Sequence, residues 1–313
     1  MALDPELERP RTADDPTFSD AVTCAFADPA AGIHGTVRIG VAGGAASGLV
    51  LLFAGGAPAL TIAEGGIPVG PDPESYEDLS TAGIDHAVVE PHRRWTVSAA
   101  GDEGTIDLEL EAVGPPLRLE AGHPAARLGG MEGYEQPCRV RGTIRLGDRR
   151  IAIDGVGQRG HQWGAPDWTE IELARTITGW FDGAASFALS ALRPAGAASH
   201  ADEVAWAAVA RPERPAEREE DAGPLAEGAA PPLRAVVAPE PRISTTTDAE
   251  GRHTLATVEL WESDEGPVWT ATGEAVAGTT MELGRLRLDT AFFRWRLAGR
   301  EGVGRYDVLR KVG

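Results

Sequence analysis

The chain has 313 residues, 42% hydrophobic and 25% charged, a globular composition with ample apolar material for a core. Its 48 acidic residues outnumber 29 basic ones, and the resulting charge of −19 repels phosphate backbones and anionic lipid, which argues against nucleic-acid and membrane-surface partners. Two cysteines, Cys24 and Cys138, are too few for a disulfide framework and form no zinc-binding spacing, so they read as buried thiols.

The stretch Met1–Arg9 is charged from Asp4 onward and lacks the apolar region of a signal peptide. The longest apolar run, Gly48–Ala54, is one strand long and far short of a membrane span. The expectation is a cytoplasmic protein with no stable membrane insertion. Residues 1–16 are polar and carry Pro5, Pro10 and Pro16, which reads as a loose arm. From there short strands alternate with turns rich in Gly, Pro and Asp. Ile33–Ala42 places Val37, Ile39 and Val41 on one face. Trp95–Ala99, Thr105–Val113 and Arg139–Leu146 behave alike, and Gly147-Asp148 turns the last of these into Arg150–Asp154.

The second half repeats the texture. Arg175–Phe181 and Ser186–Leu192 flank an Asp182-Gly183 turn, and Glu203–Ala210 continues the meander. Thr254–Trp261, Pro267–Ala277, Glu282–Asp289 and Phe292–Leu297 extend it. Single helical turns fit Pro73–Leu79 and the region around residues 195–205. Residues 211–232 are charged, rich in Pro, Ala and Gly, and nearly free of large apolar side chains, which predicts a mobile surface insertion. About fifteen short strands at close spacing predict an all-β fold of two antiparallel β-barrels or barrel-like sandwiches. The halves are expected at residues 17–168 and 169–313.

The densest group of chemically unusual residues is Gly155–Trp168. Gly155, Gly157 and Gly160 satisfy G-x-G-x-x-G, but a dinucleotide site needs a helix directly after, which Gly164 and Pro166 oppose. Glycines here suit a strand that approaches another backbone closely. No GxSxG elbow is present, and the seven histidines show no HExxH spacing. The expectation is therefore neither cofactor nor metal. His161 is a candidate general acid or base, since an imidazole titrates near neutrality, with a core histidine as its alternative. Arg159 and Asp167 could form a buried pair. Asp167, Glu170, Glu172 and Asp182 are nearby carboxyls that apolar burial would keep protonated, Asp182 discounted as part of its turn. Tyr134 could donate or orient a proton, and Glu135 lies beside it. Trp163 and Trp168 could form an aromatic wall.

Gly155–Trp168 resembles the G-x-G-x-R-D-H-S-W-G-x-R-D-W signature of lipocalin-like proteins related to carotenoid 1,2-hydratase (hydroxyneurosporene synthase) and to the AttH-like family. Gly133–Gly142, Asp15–Asp20 and Glu301–Tyr306 resemble segments of a bacterial branch of that group. The resemblance implies two lipocalin-like β-barrel halves around a site for a small hydrophobic molecule, with hydration, isomerisation or cyclisation of an isoprenoid- or polyketide-like substrate as the chemistry. Catalytic roles would fall to His161, Asp167 and Tyr134, and substrate contacts to Arg159, Trp163, Trp168, Glu135 and Trp180. A non-catalytic lipocalin-like carrier is the alternative, and a homo-oligomer is compatible with either. The sequence departs from the signature at Gly160, where an acid is expected, and at Gln162 and Pro166. If the strand is regular, Arg159, His161 and Trp163 share one face and should converge on an apolar cavity, while Gly160 and Gln162 face the other side.

Overall fold

A computed structural model describes residues 4–70, 73, 75–79, 81–181, 185–197, 199–217, 231–263 and 268–312. The chain is 68% strand and 6% helix, folded as two curled antiparallel half-barrel sheets. The first sheet comprises β1 (Ser19–Asp28), β2 (Ile33–Ala42), β3 (Ala45–Ala54), β4 (Ala57–Pro68), β5 (Ile84–Glu90), β6 (Arg94–Gly101), β7 (Gly104–Ala112), β8 (Leu117–Leu119), β9 (Met131–Leu146) and β10 (Arg149–Gly164). Its order is β4-β3-β2-β1-β10-β9-β7-β6-β5, with β8 on β9. The second comprises β11 (Ile171–Trp180), β12 (Ser186–Pro194), β13 (Val204–Pro212), β14 (Leu233–Ala238), β15 (Arg242–Thr247), β16 (His253–Trp261), β17 (Val268–Leu283), β18 (Leu286–Leu297) and β19 (Arg300–Lys311). These run β14-β13-β12-β11-β19-β18-β17-β16-β15. Among the described residues the edge strands of neither sheet pair with each other, so each half is a curled sheet rather than a closed barrel.

Alternation builds the interiors. In β7, Ile106, Leu108 and Leu110 point inward while Asp107, Glu109 and Glu111 face water. Val37 and Ile39 of β2 join the same core, which Trp95 and Val97 of β6 complete. The second core centres on Phe293, Trp295 and Tyr306. The two sheets meet back to back. Ala25, Ala27, Leu51 and Phe53 of the first pack against Trp180, Ala277, Phe292 and Val303 of the second. A second seam cluster joins Leu117 and Ala125 to Ile171, Leu192 and Trp206. Strands at this seam are buried on both faces, so β1 is almost wholly enclosed from Asp20 to Asp28.

Several elements differ from the sequence expectation. The strand expected to stop at Asp154 continues through the glycine cluster to Gly164. A methyl group at Gly155 or Gly157 would press into the carbonyl of Ala27 or Ala25, so glycine is what lets β1 lie this close. The strand expected over Glu282–Asp289 is broken by the β17–β18 turn, where Gly284 takes a positive φ of 66°. Arg211 and Pro212, expected in the insertion, extend β13 and pair with Arg234 and Leu233. Residues 218–230 of that insertion and the Asp182-Gly183 turn lie outside the described residues, although Trp180 and Ser186 are paired as the turn requires. One six-residue helix, α1 (Pro124–Gly129), carries no sequence period long enough to predict. The arm expected to be loose instead forms a 3-10 turn, Pro5–Glu8, seated on the first half. Among the described residues no helix is long and apolar enough to cross a membrane.

The close β1–β10 approach predicts that Gly157→Ala lowers stability by about 1–3 kcal/mol, as overpacking does. Gly65→Ala, whose new methyl lies 3.6 Å from the Ser47 Cβ, should be near neutral. Urea denaturation of both variants checks the contrast.

Candidate functional site

The inward face of β10 carries Arg159, His161 and Trp163, and the β9 register sets Tyr134 beside His161. Asp20 enters from β1, opposite Trp163. Both Arg159 and His161 are 0% exposed. The His161 Nδ1 lies 2.8 Å from the Leu7 carbonyl and therefore donates to it. Its Nε2 lies 2.8 Å from Asp20 Oδ2 and 2.8 Å from the Tyr76 hydroxyl, which itself donates to the other Asp20 oxygen. With Nδ1 committed as a donor, Nε2 faces the Asp20 carboxyl and the Tyr76 hydroxyl together. Burial pushes the imidazole below its ordinary pKa, and the Asp20 hydrogen bond opposes this. Burial, then Asp20, raises Tyr76 well above the phenol range, so its hydroxyl stays protonated.

Arg159 is held from the arm. One terminal nitrogen sits 2.7 Å from the Glu8 carboxylate and the other donates to the Tyr134 hydroxyl. Glu8, 5% exposed, also accepts from the His92 backbone N–H at 2.8 Å and from Trp95 Nε1 at 3.2 Å. Above this pair Arg11 lies over the Trp163 ring, 4.1 Å from its centre. The interior is thus polar and entered by the Glu8 carboxylate and the Leu7 carbonyl, not the largely apolar cavity the alternation led one to expect.

The opposite face of β10 looks into the seam. Gly160 is registered against Glu135 of β9, and the Glu135 carboxyl occupies the place where a side chain at residue 160 would stand. Gln158 Nε2 donates to Glu135 Oε2 at 2.6 Å and Gln162 Nε2 to Oε1 at 3.0 Å. Trp180 Nε1, from the second sheet, donates to Gln158 Oε1 at 2.9 Å. Glu135 is 9% exposed, and burial raises its carboxyl to about 7, with the Arg305 guanidinium as the main opposing influence. This group can hold and release a proton near neutrality. Its neighbour Gln162 is exposed, so the cluster reaches the protein surface.

The structure divides the sequence candidates into three groups. Tyr134, Arg159, His161 and Trp163 converge in the interior. Glu135 and Trp180 belong to the seam. Asp167, Glu170 and Glu172 are exposed and join neither, and Asp182 lies outside the described residues. The pair expected between Arg159 and Asp167 does not form. Asp167 instead caps its own turn, accepting from the Thr169 hydroxyl and N–H, which hold its carboxyl below the ordinary range. Trp168 packs against the apolar seam near Ile171 and Trp206. Sequence reasoning missed Glu8, Asp20, Tyr76, His92 and Trp95. Asp20 lies in a segment that carried the family resemblance; Glu8 carries no local signal. Among the described residues no three His, Cys, Asp or Glu side chains are grouped to hold a metal ion.

A family profile described as a domain of unknown function (DUF7064) matches residues 4–227. No curated protein matches the sequence. Among solved structures, an AttH-like protein from Nitrosomonas europaea is similar with 13% identity and a TM-score of 0.62, over 94% of this chain and 92% of that one. CghA in complex with Sch210972 is similar at 12% identity and a TM-score of 0.62, covering 95% of this chain and 89% of its own. Kievitone hydratase from Nectria haematococca follows at 9% identity and a TM-score of 0.60, covering 93% and 88%. At such identities the likeness establishes the two-half lipocalin-like fold.

Two outcomes follow from the geometry. His161→Ala leaves the Asp20 carboxyl and the Leu7 carbonyl unpartnered in the interior and should cost about 2–5 kcal/mol, whereas Asp167→Ala should change stability by less than about 1 kcal/mol; thermal denaturation distinguishes them. Glu135 binds its proton more tightly folded than unfolded. It therefore favours the folded state at low pH, and that contribution is lost as pH rises from the unfolded carboxyl value through about 7. Relative to Glu135→Gln, the wild type should lose on the order of 3 kcal/mol across that window, measured as the difference in unfolding free energy between the two proteins at each pH.

Proposed function

The chain belongs to the DUF7064 family, and we propose that it is a cofactor-independent acid–base enzyme acting on a small hydrophobic molecule at the seam between its two sheets, with Glu135 as the general acid. The observation that carries this reading is the buried Glu135 carboxyl, raised to about 7 and steadied by two amide side chains. Protonation of an alkene or carbonyl requires an acid that is neutral near physiological pH yet readily gives up its proton. Trp180, joined to Glu135 through Gln158, belongs to an apolar seam cluster with Phe53 from the first half and Phe292 and Val303 from the second. These side chains suit an isoprenoid- or polyketide-like substrate.

In a hydration, Glu135 transfers its proton to one alkene carbon and the neighbouring carbon becomes electron-deficient. The Trp180 ring stabilises that charge by about 2 kcal/mol where water is excluded. Water then adds to the cation, and the Glu135 carboxylate removes the excess proton, restoring the acid. Attack by a second carbon of the same substrate in place of water gives cyclisation; loss of a different proton gives isomerisation. The chemistry draws only on a carboxyl, a water molecule and a shaped apolar surface. The names of two structural neighbours are in keeping with it, one a hydratase and one solved with Sch210972. In this reading His161 is scaffold, locking β10 from behind.

The test is incubation of the protein with a panel of apolar polyenes and enones, followed by mass spectrometry of altered species. Turnover should fall by about 10²–10⁴-fold in Glu135→Gln, and kcat/KM should decline above pH of about 7 as the acid ionises. Unchanged turnover in a folded Glu135→Gln protein would remove Glu135 from the chemistry.

A further inference from the structure

The interior of the first half holds more hydrogen-bonding capacity than the protein itself uses. Arg159, fully buried, makes no hydrogen bond from Nε among the described residues. The terminal nitrogen facing Glu8 lies 2.7 Å from it but out of line for a hydrogen bond. His86 is 1% exposed, with neither ring nitrogen partnered among the described residues, and its ring stands 5.7 Å from that of Tyr76. The Gln136 Oε1 and Trp163 Nε1 atoms are likewise buried without partners. Buried polar groups in folded proteins are nearly always satisfied, so several together mark a place built for something more.

The carboxylate now in this centre is held by a slender tether. Of residues 4–11 only Glu8 is buried; Asp4, Pro5, Glu6 and Arg9 are exposed. Residues 12–17, which lead to β1, are exposed throughout. The segment is seated by polar contacts: Glu8 on Arg159, the His92 N–H and Trp95, the Asp4 carbonyl on the His92 ring, the Leu7 carbonyl on His161, the Arg11 N–H on Asp20 and the Arg11 stack on Trp163. Elements with few buried apolar contacts open at low free-energy cost.

We propose that the interior of the first half-barrel is a carboxylate-binding centre built around Arg159, with Glu8 as its tethered occupant, residues 4–11 as a displaceable plug, and a small organic acid as the exchangeable ligand. A guanidinium recognises a carboxylate through two parallel N–H donors, and Glu8 engages Arg159 on only one. A free acid placed squarely on Arg159 uses the unspent Nε–H, and a polar substituent on it has His86 within the same interior. Because Glu8 is tethered, it competes at a local concentration of about millimolar. The site thus responds to acids abundant enough, or well enough matched, to outcompete it. It lies on the opposite side of β10 from Glu135, so it stands or falls independently of the proposed catalysis.

The experiment uses the full chain with sodium acetate as the probe and sodium chloride at equal ionic strength as the control. Glu8→Ala should gain thermal stability from acetate in a saturable manner, and Glu6→Ala, altered at an exposed neighbour, should not. The gain should vanish in the Glu8→Ala/Arg159→Lys double variant. If Glu8→Ala folds only with help, recovery of the folded protein in acetate but not chloride gives the same answer. In the unaltered chain, acetate should speed tryptic cleavage after Arg11 as the plug leaves. Equal responses to acetate and chloride, an undiminished response in the double variant, or failure to fold in both salts would overturn the carboxylate site. Cleavage after Arg11 at an unchanged rate would overturn the displaceable plug.

Discussion

Because the first sheet presses its outer face against the second, strand β10 meets water on neither face between Gly157 and His161. Every polar side chain along it must find a partner within the protein. On the inner face Arg159 takes Glu8 and Tyr134, while His161 takes Leu7 and Asp20. On the seam face Gln158 links Glu135 to Trp180. One strand thus separates two buried networks of opposite character. The inner network sets the Glu8 carboxylate against the Arg159 guanidinium, and the outer one gives its carboxyl neutral amides as hydrogen-bond partners.

That difference decides what each carboxyl can do. Asp289 of β18 is also shielded from water, yet it receives hydrogen bonds from Thr280, Arg310 and Arg287. Burial pushes it upward, these partners outweigh burial, and it stays below the ordinary range as a fixed anion. Glu135 receives neutral amides instead, so burial prevails and a titratable proton remains. The chain's large negative charge contributes nothing to this distinction, which is settled within a few ångströms of each group.

The fold was legible where one face of a strand meets water. β6 and β7 show the period of two plainly, because their outward residues are free to be polar. β1 and β10 do not, because seam packing buries their outward residues as well, and glycines there report close backbone contact. The interior cluster was legible in part. Residues two apart on β10 had to share a face, which brought Arg159, His161 and Trp163 together, with Tyr134 added by the strand register. Glu8, Asp20 and Tyr76 reach the same cluster from strands and turns far away in sequence, and no spacing rule links them. Asp167 is close to His161 in sequence, but the strand ends at Gly164 and carries it out to the surface. Gly160 read as a missing acid. In the folded chain the Glu135 carboxyl stands over it, so the position is small because the acid comes from the neighbouring strand.

The account rests on a glutamate that keeps its proton near neutrality at the seam. Carbon-detected NMR of protein labelled at its glutamate side-chain carboxyls reads each titration directly, with Glu135→Gln supplying the assignment. The account predicts one carboxyl, absent from the variant, titrating at about 7. Titration of every glutamate near the ordinary value of about 4.3 would contradict it.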